Sequence, residues 1–381
     1  MIYFDNSATT KINDDALKSY QKVSETYWGN PSSLHKFGEE SFSLLNQSRK
    51  QIADLFNVNS DEIFFTSGGT EGDNWIIKGV ALNKKKFGNH IITSSIEHPA
   101  VMNSLHQLED NGFEVTYLPV DEDGRVSVDS LKEAINENTI LVSIMGINNE
   151  IGAVQPIDEI SNLLSHYPKI DFHVDAVQTV GKGDINFFLN ENVNYATFSG
   201  HKFHGPRGVG FVYIQRGKRL DPLIAGGGQE KNQRSGTENV PAIVAMSKAL
   251  RITLDNYDVK IQGQKSIKEM ILNHIQNFDK VVPFSKDNDN FAPHILCFAI
   301  KGVRGETIVH AFEQYDIYIS TTSACSSKKQ QISGTLKSMN IEDDIATSAV
   351  RISLDEDNTK DEAKKFLEIF DILYKKFDKL S

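Results

Sequence analysis

Short apolar runs alternate with longer amphipathic stretches along the first two thirds of the chain. The apolar runs have the length of strands and predict them at residues 63–65, 90–94, 113–120, 139–147, 170–174, 195–198 and 209–214. The amphipathic stretches predict helices at residues 39–55, 75–82, 99–111, 128–136 and 157–166. Because strands that alternate with helices form parallel sheets covered on both faces, the pattern predicts an α/β fold with a mainly parallel sheet.

A second pattern begins in the last third of the chain. A charge-rich region with helical spacing covers residues 242–278, and the strand-like runs 294–300 and 350–354 follow it. The apolar pattern is interrupted at Asn256-Tyr257-Asp258, so we place a domain boundary near residue 257. We expect a large domain of residues 11–257 and a smaller α+β domain that combines residues 1–10 with residues 258–381.

The composition is typical of a soluble globular protein. The chain has 381 residues, of which 39% are hydrophobic, and a net charge of −11, which argues against a broad nucleic-acid-binding face. The N-terminus lacks the basic and apolar segments of a signal peptide, and no apolar stretch reaches the length of a membrane span. Two cysteines in different settings indicate a reducing compartment, by default the cytoplasm.

Polar residues follow several of the predicted strands. In an open α/β sheet, ligands bind at the carboxyl ends of the strands. Three polar groups lie there: Glu97-His98, Asn148-Asn149-Glu150 and Asp175-Ala176-Val177-Gln178. We therefore expect a ligand site at this edge of the sheet.

Two of these residues suggest a flat, nitrogen-containing ligand. Asp175 ends an apolar strand, where a carboxylate is costly to bury without a partner. A protonated pyridine nitrogen would be such a partner, while a salt bridge to a basic residue and a helix N-cap are alternatives. His98 is either a structural histidine or a ring that stacks on a flat cofactor and moves protons.

Two glycine-rich segments are candidate anion sites. Ser67-Gly68-Gly69-Thr70 lies between a strand and a helix, where backbone N–H groups and the helix dipole suit a phosphate. Simple helix capping by the Ser and Thr side chains explains the segment equally well. It has neither a Walker A lysine nor GxGxxG spacing, which disfavours a nucleotide-binding protein. The second segment contains Gly226-Gly227-Gly228 and Arg234-Ser235-Gly236-Thr237.

Lys202 lies in the tight polar turn Ser199-Gly200-His201-Lys202 between two predicted strands. A lysine can form a Schiff base when burial and nearby positive charge keep its amine neutral. The alternative for the segment alone is a surface turn with a solvated lysine. His173, His201 and His204 also raise the question of a metal, but no carboxylate or thiolate accompanies them at ligand spacing, so we predict no metal site.

The two cysteines differ in their surroundings. Cys297 lies in an apolar run and is interpreted as an inert core residue, whereas Cys325 lies in a polar segment near Lys328 and Lys329, which would favour its thiolate. Cys325 is therefore the cysteine able to do chemistry. Arg351 lies inside a strand-like run, where a substrate carboxylate would satisfy its two-pronged donor group.

Together these groups are the parts of a pyridoxal phosphate enzyme. The chain resembles the class V aminotransferase family, and in particular its NifS-like and IscS-like cysteine desulfurases. The motifs that carry the resemblance occur in order along nearly the whole chain: Phe4-Asp5-Asn6-Ser7-Ala8-Thr9-Thr10, Ser67-Gly68-Gly69-Thr70-Glu71, Glu97-His98-Pro99-Ala100-Val101, Asn148-Asn149-Glu150-Ile151-Gly152, His173-Val174-Asp175-Ala176, Ser199-Gly200-His201-Lys202, Arg234-Ser235-Gly236-Thr237 and Val350-Arg351-Ile352-Ser353.

The resemblance implies the fold-type I architecture of pyridoxal phosphate transferases, with a seven-stranded, mainly parallel sheet in the large domain. It implies pyridoxal 5'-phosphate as cofactor, with Lys202 as its Schiff-base residue, Asp175 at its pyridine nitrogen, Gln178 at its ring hydroxyl and His98 stacked on its ring. The resemblance also implies a phosphate site and a homodimer. The groups at the phosphate would be Gly69, Thr70, Ser199, Gly200, His201 and, from the second subunit, Thr237.

The implied reaction converts L-cysteine to L-alanine and leaves the sulfur as a persulfide on Cys325, with Lys202 and His98 moving protons. Asn149, which would also contact the cofactor, and Arg351 would hold the substrate carboxylate. A sulfur-acceptor protein would then take the sulfur.

The residues around Cys325 bear on the identity of that acceptor. The residues after Cys325 depart from the Ser-x-x-Pro-Ser continuation of housekeeping iron–sulfur desulfurases. The chain looks closer to desulfurases that serve a tRNA-thiolating enzyme, with an iron–sulfur scaffold as the other acceptor.

Other interpretations remain open at the level of sequence. The nearest is a selenocysteine lyase or another class V aminotransferase in which Cys325 is incidental. A non-catalytic scaffold is disfavoured because Lys202, Asp175, His98 and Cys325 are all present. We expect no direct nucleic-acid partner and no membrane partner.

Overall fold

We describe the fold from a computed structural model, in which residues 1–182, 190, 192–322 and 333–378 are described. The strands are β1 (Ile2–Tyr3), β2 (Ile63–Thr66), β3 (His90–Ser94), β4 (Glu114–Leu118), β5 (Thr139–Met145), β6 (Asp171–Asp175), β7 (Tyr195–Ser199), β8 (Gly210–Ile214), β9 (Val281–Pro283), β10 (Ile295–Ile300), β11 (Ile317–Tyr318), β12 (Ser320–Thr321) and β13 (Ala349–Ser353). The helices are α1 (Asp14–Thr26), α2 (Lys36–Phe56), α3 (Gly69–Lys84), α4 (Pro99–Glu109), α5 (Val128–Ala134), α6 (Ile157–Leu164), α7 (Val240–Leu254), α8 (Tyr257–Ile275), α9 (Gly305–Glu313), α10 (Gly334–Ser338), α11 (Asp343–Ala346) and α12 (Lys360–Asp378).

The larger sheet confirms the predicted α/β class. Within the described residues it has seven strands in the order β2-β8-β7-β6-β5-β3-β4. Strand β8 runs antiparallel to both of its neighbours, and the other pairs are parallel. The sheet is therefore mainly parallel, and the carboxyl ends of β5, β6 and β7 lie side by side at one edge.

Helices cover both faces of this sheet, because adjacent residues of each strand point to opposite sides. Phe65 and Ile92 belong to one core, which they share with α2, α6 and α7. Their neighbours Phe64 and Ile91 belong to a second core, formed with α3 and α4. Continuous apolar runs in the sequence thus correspond to strands that are buried on both faces.

A second, smaller sheet is antiparallel and has the order β12-β13-β10-β9. Helices α8, α9 and α12 pack against it in a core that also contains Phe4. Strand β1 pairs with β11, and Asp5 forms a bridge with Ser353. The N-terminal residues therefore pack with the C-terminal part of the chain, and we propose the domain boundaries 11–257 and 1–10 with 258–381.

The start of one helix was predicted wrongly. Helix α3 begins at Gly69, not at residue 75, so the second half of the segment Ser67-Gly68-Gly69-Thr70 is helical. A β-carbon at Gly72 would lie 2.7 Å from Thr197 Cγ2, so glycine here permits close packing of α3 on the sheet. The region 242–278 is two helices, and the predicted interruption at Asn256 is confirmed, because Asn256 adopts the left-handed conformation with φ +53° between α7 and α8. Across the described part of the chain, no helix combines the length and apolar character that a membrane span requires.

A buried ion pair covers the open edge of the larger sheet at β2. The Arg49 guanidinium donates to Glu230 at 2.6 and 2.8 Å, and also donates to the Ile63 carbonyl at 2.6 Å. Glu230 in turn accepts a hydrogen bond from the Phe65 N–H at 2.9 Å. The two side chains therefore take the place of a neighbouring strand, which an edge strand otherwise lacks.

We expect the substitution Glu230→Gln to destabilise the apoprotein strongly. It would leave the buried Arg49 charge without its partner, which typically costs about 3–5 kcal/mol of unfolding free energy. Urea denaturation followed by circular dichroism measures the loss. The matched control is Asp61→Asn, which breaks the exposed ion pair with Arg216 and should cost about 1 kcal/mol or less. Equal, small losses in both variants would contradict a structural role for the buried pair.

Candidate active site

The side chain of Lys202 is enclosed by the N-terminal loop. Lys202 ends the short 3₁₀ turn Gly200–Lys202, which directly follows β7. Its Nζ donates to the backbone carbonyls of Ser7 at 2.5 Å and of Ala8 at 3.0 Å. The Gln178 amide also donates to the Ser7 carbonyl, at 3.0 Å. Three segments that are far apart in sequence therefore meet at the Ser7 carbonyl.

Further hydrogen bonds fix the N-terminal loop on the end of β7. The backbone N–H and the hydroxyl of Thr10 donate to the His201 carbonyl at 2.9 and 3.0 Å. The His201 ring nitrogen Nδ1 lies 3.2 Å from the Thr9 hydroxyl. His201 thus holds the loop in addition to its implied place near a phosphate.

Asp175 supplies a buried carboxylate beside this lysine. It is the last residue of β6, and its Oδ1 accepts a hydrogen bond from the Val177 N–H at 3.0 Å. Burial raises the pKa of Asp175 to about 6, and this increase exceeds the decrease in pKa caused by the Val177 N–H and by the Lys202 charge. Asp175 is consequently mostly ionised at neutral pH and can stabilise a positive charge on a ligand.

The first turn of α3 offers backbone donors to an anion. The first N–H with an intrahelical acceptor is that of Gly72, which donates to Gly68 at 3.2 Å. Within the described residues no side chain caps the helix, so the N–H groups of its first turn are available. A β-carbon at Gly68 would lie 3.6 Å from Ser199 Oγ. This turn therefore lies beside the lysine-bearing segment.

His98 is held as a neutral ring near Lys202. It caps α4, where its Nδ1 accepts a hydrogen bond from the Ala100 N–H at 3.1 Å. Burial, followed by the Lys202 charge, lowers the pKa of His98 to about 4. Since Nδ1 accepts, the proton of the neutral ring resides on Nε2. The ring is thus fixed in one tautomer at physiological pH.

Arg351 is buried in β13, where it connects two parts of the site. Its Nη2 donates to Asp5 Oδ1 at 2.8 Å, and its Nη1 donates to the Asn149 backbone carbonyl at 2.8 Å. Its Nε is buried and has no hydrogen-bond partner among the described residues. Arg351 is therefore adjacent to the backbone of Asn149.

Behind Asp175 lies a group of buried acids to which the sequence analysis assigned no role of their own. Glu97 Oε1 accepts from the Ser94 hydroxyl at 2.5 Å and from the Met145 N–H at 3.0 Å, whereas no described residue bonds to its buried Oε2. Burial raises the pKa of Glu97 to about 8, so its carboxyl is largely protonated at neutral pH. Its position after an apolar strand, like that of Asp175, was the signal available in the sequence.

A second buried acid, Asp73 on α3, belongs to the same group. Burial and the neighbouring Asp175 raise the pKa of Asp73 well above its usual value. Its Oδ1 lies 3.7 Å from His173 Nε2, and the His173 ring contacts the hydroxyls of Ser143 at 2.9 Å and Thr197 at 3.0 Å. These contacts give His173 a structural place, and no group of three or more potential metal ligands occurs in the described ranges.

The polar loop after β5 contacts the segment that begins at Ser333. The Ser333 hydroxyl donates to Glu150, and the Asn148 amide donates to the Thr335 hydroxyl at 3.2 Å. Cys325 lies outside the described residues. Cys297 is fully buried in β10, and burial raises its pKa well above the usual value, in agreement with its interpretation as a core residue.

These groups fit pyridoxal phosphate. The available N–H groups of α3 suit its phosphate, the ionised Asp175 suits its pyridine nitrogen, and the Lys202 amine suits its carbonyl carbon. Gln178 and the neutral His98 belong to the same edge of the sheet. Thr237 is exposed, at the end of the second glycine-rich segment.

The chain is similar to known proteins over nearly its whole length. The family described as Aminotransferase class-V matches residues 2–366. A "NifS/IcsS protein homolog" of Lactobacillus delbrueckii subsp. bulgaricus is 55% identical, over 100% of this chain and 99% of the homolog. The protein named "Cysteine desulfurase IscS" of Dictyoglomus turgidum is 39% identical, over 100% of this chain and 96% of its own length. A solved NifS-like protein superposes with a TM-score of 0.90 at 37% identity, covering 98% of this chain and 99% of that one.

The protonated Glu97 predicts a pH effect on stability. The pKa of Glu97 in the folded state, about 8, exceeds its usual 4.5, so the unfolded chain loses this proton at lower pH than the folded chain. The stabilisation of the folded state by the proton on Glu97 is complete below pH 4.5 and is lost as pH rises towards 8. We expect Glu97→Gln, measured by urea denaturation of the apoprotein, to gain stability relative to the parent between pH 5 and 8, by at most about 1.4 kcal/mol per pH unit.

The control for this prediction is Glu114→Gln, which changes an exposed side chain of β4. Its unfolding free energy should follow that of the parent protein across the same pH range. A Glu97→Gln profile parallel to the parent profile would show that Glu97 is ionised in the folded protein, contrary to the geometry described above.

Proposed function

Because this chain belongs to the class V aminotransferase family, and is therefore an enzyme that uses pyridoxal phosphate, we propose that it is a cysteine desulfurase with Cys325 as its sulfur carrier. The family membership confirms the resemblance that the sequence motifs indicated. The observation that supports the proposal most strongly is the convergence of Lys202, Asp175 and the first turn of α3 at the carboxyl edge of the sheet. The names of the similar proteins support the choice of cysteine as substrate.

Each residue of the site has a part in holding the cofactor. The N–H groups of Gly69 and Thr70, together with Ser199, Gly200 and His201, would bind the phosphate. Asp175 would accept the hydrogen bond of the pyridine nitrogen, Gln178 would bond the ring hydroxyl, and His98 would pack on the ring as a neutral imidazole. When bound at Lys202, pyridoxal phosphate withdraws electrons from the α-carbon of an amino acid and so weakens the bonds around it.

Lys202 and His98 move protons in this proposal. The Lys202 amine takes the proton from the substrate α-carbon, and its contacts with the Ser7 and Ala8 carbonyls hold it at the edge of the site. His98 bears a proton on Nε2, which makes it a hydrogen-bond donor towards the substrate sulfur. Arg351 and Asn149 bind the substrate carboxylate, which requires the Arg351 side chain to share its donors between Asp5 and the substrate.

The proposed sulfur transfer needs no oxidant or reductant other than cysteine and Cys325. The Cys325 thiolate attacks the substrate sulfur, an S–S bond forms, and the bond between the substrate β-carbon and sulfur breaks. The carbon skeleton keeps the electron pair of that bond and takes up a proton, so that cysteine and the Cys325 thiol become alanine and a Cys325 persulfide. A persulfide carrier must remain reduced, which favours a cytoplasmic location.

The assembly we propose is a homodimer in which Thr237 of one subunit reaches the phosphate site of the other. Thr237 is exposed within its own chain. Large apolar side chains that are also exposed support a subunit contact: Trp28 at 72%, Leu34 at 95% and Phe42 at 51% of their surface. The persulfide sulfur then passes to an acceptor protein, a tRNA-thiolating enzyme or an iron–sulfur scaffold, of which the residues after Cys325 favour the first.

The two cysteines provide a direct test of the proposed sulfur carrier. In Cys325→Ser the attacking thiolate is absent, so alanine formation from L-cysteine should fall at least about a hundredfold, and no protein persulfide should form. The control is Cys297→Ala, which removes the other thiol from the core and should retain most of the activity. Alanine is measured by mass spectrometry and the persulfide by alkylation and reductive release.

Three outcomes would contradict this proposal. Unchanged alanine production in Cys325→Ser would exclude Cys325 as the carrier. Release of pyruvate or exchange with a keto acid would indicate an aminotransferase. Turnover of selenocysteine without turnover of cysteine would indicate a selenocysteine lyase.

A further inference from the structure

The loop that carries Thr237, residues 226–239, is attached to its own chain by two ion pairs, and we refer to it as the threonine loop. The first is the buried pair of Glu230 with Arg49 at the edge of β2. The second is a two-pronged pair in which Arg234 donates to Glu71 at 2.6 and 3.0 Å. The threonine loop is therefore fixed to the same strand, turn and helix that form the candidate phosphate site.

Glu71 connects the threonine loop to that phosphate site directly. Besides Arg234, its carboxylate accepts a hydrogen bond from the Ser67 N–H at 2.8 Å. Ser67 immediately precedes Gly68 and the first turn of α3. One carboxylate thus sets the turn at which an anion binds and, through Arg234, the start of the Ser235-Gly236-Thr237 segment.

The backbone of the threonine loop indicates a fixed geometry. The residues Glu230, Lys231 and Asn232 all have positive φ, between +47° and +66°, which is unfavourable for residues other than glycine. Local hydrogen bonds then close the loop, from Ser235 N–H to the Ile224 carbonyl at 3.0 Å and from Gly236 N–H to the Gln229 side chain at 3.0 Å. Such a conformation persists only where its surroundings enforce it.

The position of Thr237 indicates where this geometry is used. Arg234 and Ser235 face the interior of their own chain, whereas Thr237 is exposed only two residues after Ser235. A loop with a fixed backbone and an exposed threonine can bind a ligand that is held by another molecule.

We propose that Arg234, through its two-pronged bond to Glu71, is a positioning residue that sets Thr237 of one subunit against the cofactor phosphate of the other. The inference rests on the proposed function, which supplies the cofactor and the homodimer. In each subunit, the Glu71 carboxylate contacts both the phosphate site of that subunit and the threonine loop that would bind the partner subunit. Loosening Arg234 should therefore weaken cofactor binding in the partner subunit and not in its own.

Mixed dimers with two affinity tags distinguish the two subunits. Lys202→Ala in one subunit removes its lysine-bound cofactor band near ~420 nm, so that only the other subunit is observed. The test substitution is Arg234→Lys, which keeps the positive charge but loses the two-pronged geometry. In the first dimer, Arg234→Lys is in the Lys202→Ala subunit; in the second dimer it is in the observed subunit.

The affinity of the observed site for pyridoxal phosphate is measured by titrating the apoprotein. The first dimer should bind roughly three- to tenfold more weakly than the reference dimer that carries Lys202→Ala alone, the effect of weakening a hydrogen bond to a charged group. The second dimer should bind like the reference. The same pair of mixed dimers can be made with Thr237→Val in place of Arg234→Lys. The first of these dimers should again bind pyridoxal phosphate more weakly than the second.

The matched control is Arg216→Lys in the first arrangement, which loosens the two-pronged pair with Asp61 outside the threonine loop and should leave the affinity unchanged. Equal affinities in the two arrangements, or a loss confined to the second, would overturn the positioning role of Arg234. A parent protein that forms no dimer, or develops no band with pyridoxal phosphate, would instead refute the proposed function itself.

Discussion

The contact between the Lys202 amine and the N-terminal loop is the interaction on which the rest of the structure depends. The loop reaches Lys202 through the carbonyls of Ser7 and Ala8, and it is tied to the adjacent His201 through Thr10. The same segment continues into the second sheet, where Phe4 lies in the core and Asp5 binds Arg351. A few N-terminal residues therefore join the two sheets at the place where the site is formed.

Burial of charge explains how this site distinguishes its acids. Asp73, Glu97 and Asp175 are all buried, and burial raises the pKa of each. Of these three, only Asp175 is stabilised as an anion by the nearby Lys202 charge. Glu97 is largely protonated at neutral pH, and burial also raises the pKa of Asp73, so that Asp175 at the end of β6 is the carboxylate best placed to stabilise a ligand cation.

The sequence could predict the sheet and the residues at the ends of its strands, because buried strands and strand ends leave local patterns. Lys202, Asp175 and His98 were found in this way, and the structure brings them to one edge. The start of α3 was missed, since glycine and hydroxyl residues usually indicate a loop, whereas here Gly72 allows the helix to pack closely on Thr197. The roles of Asp5, Ser7 and Glu71 depend on contacts between residues far apart in sequence, which no periodicity reveals.

The central claim of this account is that the Lys202 amine carries the cofactor. The measurement that tests it most directly is borohydride reduction of the purified holoenzyme, followed by peptide mapping with mass spectrometry. We predict that the reduced pyridoxal phosphate is recovered on the peptide that contains Lys202. Its recovery on another lysine, or the absence of any modified peptide from a protein that had bound the cofactor, would contradict the account.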